Sequence, residues 1–189
     1  MPFEPPRLKS GIFGTRGPGP VAMQPVANMG PSIPPPKGPK GFRVEDRIGV
    51  QAPANVIWDI VRDLDRWHEW NPTYPRASGV VRIGELVSVT LALPGQPVQE
   101  LKPRILEWVP DEQLHWQLTL LGGLIKTIRY IEIEALAEAN CVVDNGEIFG
   151  GLMGPSMGKR MGRTVQRGFK AMNEALKARA EAFWAEQKG

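Results

Sequence analysis

Residues Asp63 to Pro72, DLDRWHEWNP, gather a histidine, three carboxylates and two tryptophans into ten positions. An imidazole steadied by a carboxylate is a natural general base, and Asp65 and Glu69 flank His68 in sequence. Spacing argues against that use. His68 and Glu69 are adjacent and do not face one another on a helix, whereas Trp67 and Trp70, three apart, share a face that His68 does not. Indoles of this size are most useful when buried with the N–H satisfied, and Asn71 and Pro72 supply turn chemistry. The segment reads as a corner where a short helix ends and a sheet begins. Trp67 and Trp70 are packing residues there and candidates for one wall of a pocket.

Better candidates for polar chemistry lie on strands. In IKTIRYIEIEA, alternation sets Ile125, Thr127, Arg129, Ile131 and Ile133 on one face, with Lys126, Ile128, Tyr130, Glu132 and Glu134 on the other. Arg129 stands among apolar neighbours, and a guanidinium turned inward binds a carboxylate, a phosphate or an enolate. In CVVDNGEIFG, Glu147 shares a face with Asn145 and Phe149; Asp46 lies on the apolar side of an earlier strand. Arg129, Tyr130, Glu147 and Asp46 converging on one apolar cavity would suit orientation of, or proton transfer to, a cyclic ligand. The competing reading of each is a solvated face or a structural ion pair. His115 alternates with Leu114, Trp116 and Leu118, so it belongs on a polar strand face that meets water, while Trp116 belongs on the apolar one. No residue is assigned a catalytic role, and no metal ligand set is present: Cys141 is the single cysteine and there are two histidines.

These residues need elements to hold them. FRVEDRIGV alternates as a strand, and APANVIWDIVRDL shifts to helical spacing, with Pro53 near its first turn and Val56, Ile57, Ile60, Val61 and Leu64 on one face. From Ala77 to Phe149 about six strands are expected, broken at Gly84-Glu85, Pro94-Gly95, Pro110-Asp111, Gly122-Gly123 and Glu138-Ala139-Asn140. Connections this short join antiparallel neighbours. Beyond FGGLMGPSMG the helical period returns. Met157, Met161, Val165, Phe169, Met172, Leu176, Ala180 and Phe183 form one stripe, with Arg160, Arg163, Arg167, Lys170 and Lys177 mostly off it. Met153, Met157 and Met161 read first as core, though thioethers also suit pockets that accept varied apolar guests; Phe169 would join them there. Gly154, Gly158 and Gly162, four apart, permit close helix–sheet approach and match no phosphate loop.

Composition bounds the rest. A 189-residue chain holds one domain of ordinary size and a tail. Eleven of the nineteen prolines fall in the first forty residues, so residues 1–41 are expected to be extended or disordered, with PSIPPPKGP favouring polyproline II and offering a docking segment for a partner. No apolar run reaches the length of a membrane span and the N-terminus lacks the apolar core of a signal peptide. A net charge of +3 is mild for a nucleic-acid binder. A cytoplasmic protein is expected, with weak attraction of the basic helix face to anionic membranes as a minor prospect.

The elements add up to an α+β fold over residues 42–186: a curved antiparallel sheet of about six to seven strands gripping one long C-terminal helix, with two short helices after the first strand. One helix stripe cannot cover so much sheet, and the space left over predicts an internal pocket. Ala52, Pro53, Val56, Ile57 and Trp58, the Trp67-Trp70-Asn71-Pro72 corner, and Glu147, Phe149 and either Gly151 or Gly150 at a strand end resemble the motifs of the SRPBCC superfamily. This is the START / Bet v 1-like helix-grip group with its polyketide cyclase/dehydrase-like members. Asn145 stands where such relatives often carry a histidine. The resemblance implies binding of a small hydrophobic or aromatic ligand without a cofactor, with a cofactor-independent cyclase or dehydratase and an accessory protein docked through its tail as the alternatives.

Overall fold

The computed structural model describes residues 40–188, so the Pro/Gly-rich run expected to be extended lies outside the described residues. Strand β1 (Phe42–Val50) turns Val44 and Val50 into the core and Arg43, Glu45 and Arg47 to solvent, as alternation requires. Helix α1 (Ala54–Arg62) follows. Pro53 is its N-cap, and the proline carbonyl accepts hydrogen bonds from the Val56 and Ile57 amides at 3.1 and 3.3 Å. A 3-10 turn over Leu64–Glu69 then leads into the corner. There the Trp67 indole donates to the Val61 carbonyl at 3.0 Å, while the Asn71 carboxamide oxygen accepts from the Thr73 and Tyr74 amides. Pro72 stops the helix, and the side chain of Asn71 turns the chain.

Seven further strands follow: β2 (Arg76–Ser78), β3 (Ser88–Leu91), β4 (Gln99–Leu101), β5 (Arg104–Val109), β6 (Gln113–Leu120), β7 (Ile125–Ala137) and β8 (Asn140–Gly150). All pair antiparallel, in two groups. Five form a sheet of order β1-β8-β7-β6-β5, and three short ones form a second of order β2-β3-β4. An isolated bridge between Leu86 and Arg104 links the two groups. Every expected turn is found between strands. The additional break is at Lys102-Pro103, where proline removes a ladder donor and splits one apparent run into β4 and β5.

Helix α2 (Gly154–Lys188) has 35 residues and so runs about 52 Å. Its inward stripe buries Val165, Phe169, Met172, Leu176 and Ala180. Phe183, expected on that stripe, is 48 % exposed. The reason is length: the Gln51 amide, one residue past β1, already meets the Glu181 carboxylate at 2.8 Å, so the helix has passed the strand end there. At its other end α2 lies close to the sheet. A Cβ on Gly158 would fall 2.6 Å from Phe42 Cδ1 and 3.0 Å from Phe149 Cγ, so any larger residue would lift the helix. In the middle a polar clamp replaces apolar contact. Asn145 on β8 donates to the Asn173 side-chain oxygen at 2.8 Å, and Asn173 donates to the Asp46 carboxylate at 2.8 Å and to its carbonyl at 3.1 Å.

Candidate functional site

Between α2 and the sheet lies a cavity of about 70 Å³. Strand register explains most of its wall. Trp116 pairs with Arg129, which pairs with Glu147, so the three stand in one row across β6, β7 and β8. Leu118, Thr127 and Phe149 form the next row by the same pairing. Alternation sends both rows to one face, and both line the cavity. Met157, Met161, Val165 and Phe169 of α2 close it from above, and Leu91, Leu101 and Tyr74 complete the side nearest the three-stranded sheet. The volume suits on the order of five waters, well below the several hundred Å³ of a pre-formed ligand site. The resting space is therefore small, and a guest larger than a few atoms must displace side chains to fit within it.

Arg129 is the unusual member. It is 2 % exposed, yet no carboxylate among the described residues comes within ion-pair distance of it. Its Nη1 donates to the carbonyls of Tyr130 and Gly146 at 2.6 and 2.9 Å, and Nη2 reaches only the Met172 sulfur at 3.7 Å. Nε has no partner. The guanidinium carbon lies 3.9 Å from the Phe169 ring centroid, 5.4 Å from Trp116 and 6.0 Å from Tyr74. Three π-faces thus do part of the work that a counter-ion would do. Glu147, its cross-strand neighbour, is held above the usual carboxylate range by burial, against the opposing pull of the Thr127 hydroxyl and the Arg129 charge. Burial likewise raises the Tyr74 phenol. The wall thus offers a cation, a carboxyl inclined to keep its proton, and a neutral phenol in an otherwise apolar space. Together they can hold an oxygen atom that carries or develops negative charge.

Of the residues expected at a site, the cavity brings together Trp116, Arg129, Glu147, Phe149, Met157, Met161 and Phe169. Trp67 stands one layer behind, packed on Tyr74 and Trp116 with ring centroids 5.6 and 6.2 Å apart. Trp70 faces a different groove, between the corner and the far end of α2. Met153 lies outside the cavity, in a shallow groove beside the start of α2. Tyr130 points to the opposite side of the sheet, where its hydroxyl donates to the Glu45 carboxylate at 2.5 Å. Asp46 is engaged in the clamp with Asn173. His68 is exposed, its Nδ1 2.8 Å from the Asp65 carbonyl. His115 is half-buried and hydrogen-bonded to the Glu132 carboxylate at 2.9 Å, so its strand face is polar and partly occupied by a side-chain partner. Tyr74 and the β3 residues Val89 and Leu91 were not singled out by sequence. Tyr74 falls between Pro72 and Pro75, where no periodicity operates, and β3 is too short to show one.

A family described as polyketide cyclase / dehydrase and lipid transport matches residues 41–181. No curated protein matches the chain. Among solved structures, a START superfamily protein from Mycobacterium smegmatis aligns with a TM-score of 0.61 at 19% identity, covering 76% of this chain and 99% of that one. Zhui aromatase/cyclase from Streptomyces sp. R1128 aligns at 0.59 and 16% identity, over 74% and 93% of the two chains. A norcoclaurine synthase point mutant from Thalictrum flavum, in complex with a transition-state analogue, aligns at 0.57 and 18%, over 78% and 96%. At these identities the likeness establishes a shared helix-grip, START-like fold.

Proposed function

The chain belongs to the polyketide cyclase / dehydrase and lipid transport family, and on that premise we propose that its cavity binds a small hydrophobic molecule with an anionic or polarised oxygen at one end. Arg129 carries this reading. A buried cation with no carboxylate within reach and one N–H unpartnered is costly to maintain, and an apolar cavity is where such a group would meet a ligand's oxygen. Trp116, Phe149 and Phe169 would take the apolar body, with Met157 and Met161 yielding to admit it. The lone, buried Cys141 fits a reducing compartment, and we place this activity in the cytoplasm.

An aromatic sulfonate dye titrated into the protein tests the reading, because it combines a ring system with a fixed anion. Arg129→Met should weaken its binding by about thirtyfold, corresponding to a charge-assisted hydrogen bond of ~2 kcal/mol. A neutral dye of the same shape should bind both proteins alike. Equal affinity of the sulfonate for both proteins would remove Arg129 from the site.

A second reading rests on Glu147. A carboxyl biased toward its protonated form beside a guanidinium is an acid–base pair, as a cyclase or dehydratase acting without a cofactor requires. It shares the cavity with the first reading and differs in outcome. Glu147→Gln should leave ligand affinity nearly intact while abolishing any turnover, so loss of affinity without loss of turnover would count against it.

A further inference from the structure

We propose that the end of the molecule formed by the β6–β7 turn and the β8–α2 turn is a docking surface for an anionic lipid bilayer. Two turns far apart in sequence meet there: the Met153 amide donates to the Leu124 carbonyl at 3.0 Å. A Cβ on Gly151, which has a φ of +80°, would lie 2.6 Å from the same carbonyl oxygen, so the two turns are in direct contact. Between them they expose Leu121, Leu124, Leu152 and Met153, the third at 85 %. Four large apolar side chains on two touching turns form a cluster, unlike the scattered exposed residues any protein carries.

The charge around this cluster is of one sign. From Ile148 to Asn173 there is no acidic residue, and from Gln113 to Ile131 there is none either. Lys126 lies along the first turn, its Cε 3.9 Å from where a Cβ on Gly123 would be, and Arg160 lines a shallow groove with Met153, Met157 and Ile125. Lys159 and Arg163 are exposed on the same first turns of α2. None of these four cations is in an ion pair among the described residues, whereas Lys170, Lys177 and Arg179 farther along the helix all are. Cations near a helix N-terminus oppose its dipole, and the first turn of α2 holds no acid to offset them. Folding alone gives no reason for the arrangement, whereas a negatively charged interface satisfies both the apolar cluster and its cationic rim.

Other occupants fit the charge less well. The run of residues 1–39 carries Arg7, Lys9, Arg16 and Lys37 against Glu4 alone, and a second copy would present the same positive end. Met157 and Met161 line both the internal cavity and the outer groove, so docking would bring the cavity's side wall to the bilayer. The docking itself does not depend on what the cavity binds.

Cosedimentation of the full chain with vesicles tests this directly. Binding is expected to vesicles of equimolar phosphatidylcholine and phosphatidylserine, not to phosphatidylcholine alone, and to weaken as salt is raised. Lys159→Gln, Arg160→Gln and Arg163→Gln together should lower the partition coefficient by on the order of a hundredfold. Leu152→Glu, at an exposed position that folding does not use, should also abolish it, with an unchanged circular dichroism spectrum. The proposal is overturned by equal binding to both vesicles, by no binding to either, or by loss of binding only in the triple variant Arg7→Gln, Lys9→Gln and Arg16→Gln. It is also overturned by a dimer that Leu152→Glu dissociates, which would assign the cluster to self-association. Each of these results leaves the dye titration at Arg129 unaffected.

Discussion

Arg129 and Glu147 occupy neighbouring positions on adjacent strands without pairing, and the thermodynamics of each alone is testable. Replacing an unpaired buried ion by an apolar residue of similar length is often neutral or stabilising, because the ion's desolvation is no longer borne. Arg129→Met should therefore unfold at the same denaturant midpoint as the parent or a higher one, even as it loses anion binding. Glu147 gives a pH dependence. Its folded-state pKa lies above the usual 4.5, so the folded form holds the proton more tightly than the unfolded chain. The stability this brings is fully present below 4.5 and is lost as pH rises through the elevated folded value. Chemical denaturation across that window should show declining stability in the parent and a flatter profile in Glu147→Gln. Alternation alone put Arg129 on the apolar face of its strand and left open whether that face was buried or solvated. Its lack of a carboxylate partner was not legible, since partners come from strands and helices distant in sequence.

At the scale of elements, periodicity carried the assignment wherever elements were long. Strands β7 and β8 and helix α2 span 13, 11 and 35 residues, enough for the period to show. Strands β2, β3 and β4 have three, four and three residues, and alternation over so few positions cannot be told from chance. The cavity wall that β3 and β4 contribute was therefore invisible, and so was Tyr74 between its prolines. The family resemblance stated from the corner and strand-end motifs agrees with the matched family and with the fold. The clamp of Asn145, Asn173 and Asp46 was hidden for another reason: a buried asparagine on a helix stripe reads as an interruption until its partners are known. Asn173→Ala should cost roughly 3 kcal/mol, because it leaves the Asn145 amide and the Asp46 carboxylate without their partner. Urea denaturation measures this, and a change below about 0.5 kcal/mol would mean water replaces the amide fully.

For the molecule as a whole, the cavity has two unlike walls. One wall is the five-stranded sheet, whose long central strands are paired on both sides; the other includes the three-stranded sheet. An isolated bridge at Leu86 and Arg104 joins them. The strongly paired wall carries the polar row of Trp116, Arg129 and Glu147, whose mutual positions are fixed by ladder hydrogen bonds. The apolar side chains opposite stand on shorter ladders, of three and four residues, and on α2. A guest larger than the resting volume would be accommodated by movement on that side, leaving the polar row in place.

That asymmetry should be readable as time. Backbone amides of β7 and β8 ought to exchange with deuterated solvent only through global unfolding, whereas those of β3 and β4, in short and lightly tied strands, should exchange through local opening orders of magnitude faster. A ligand that fills the cavity would slow the second set and leave the first unchanged. The same rate for both sets would mean that the two sheets open as one unit, and that the way in lies along α2.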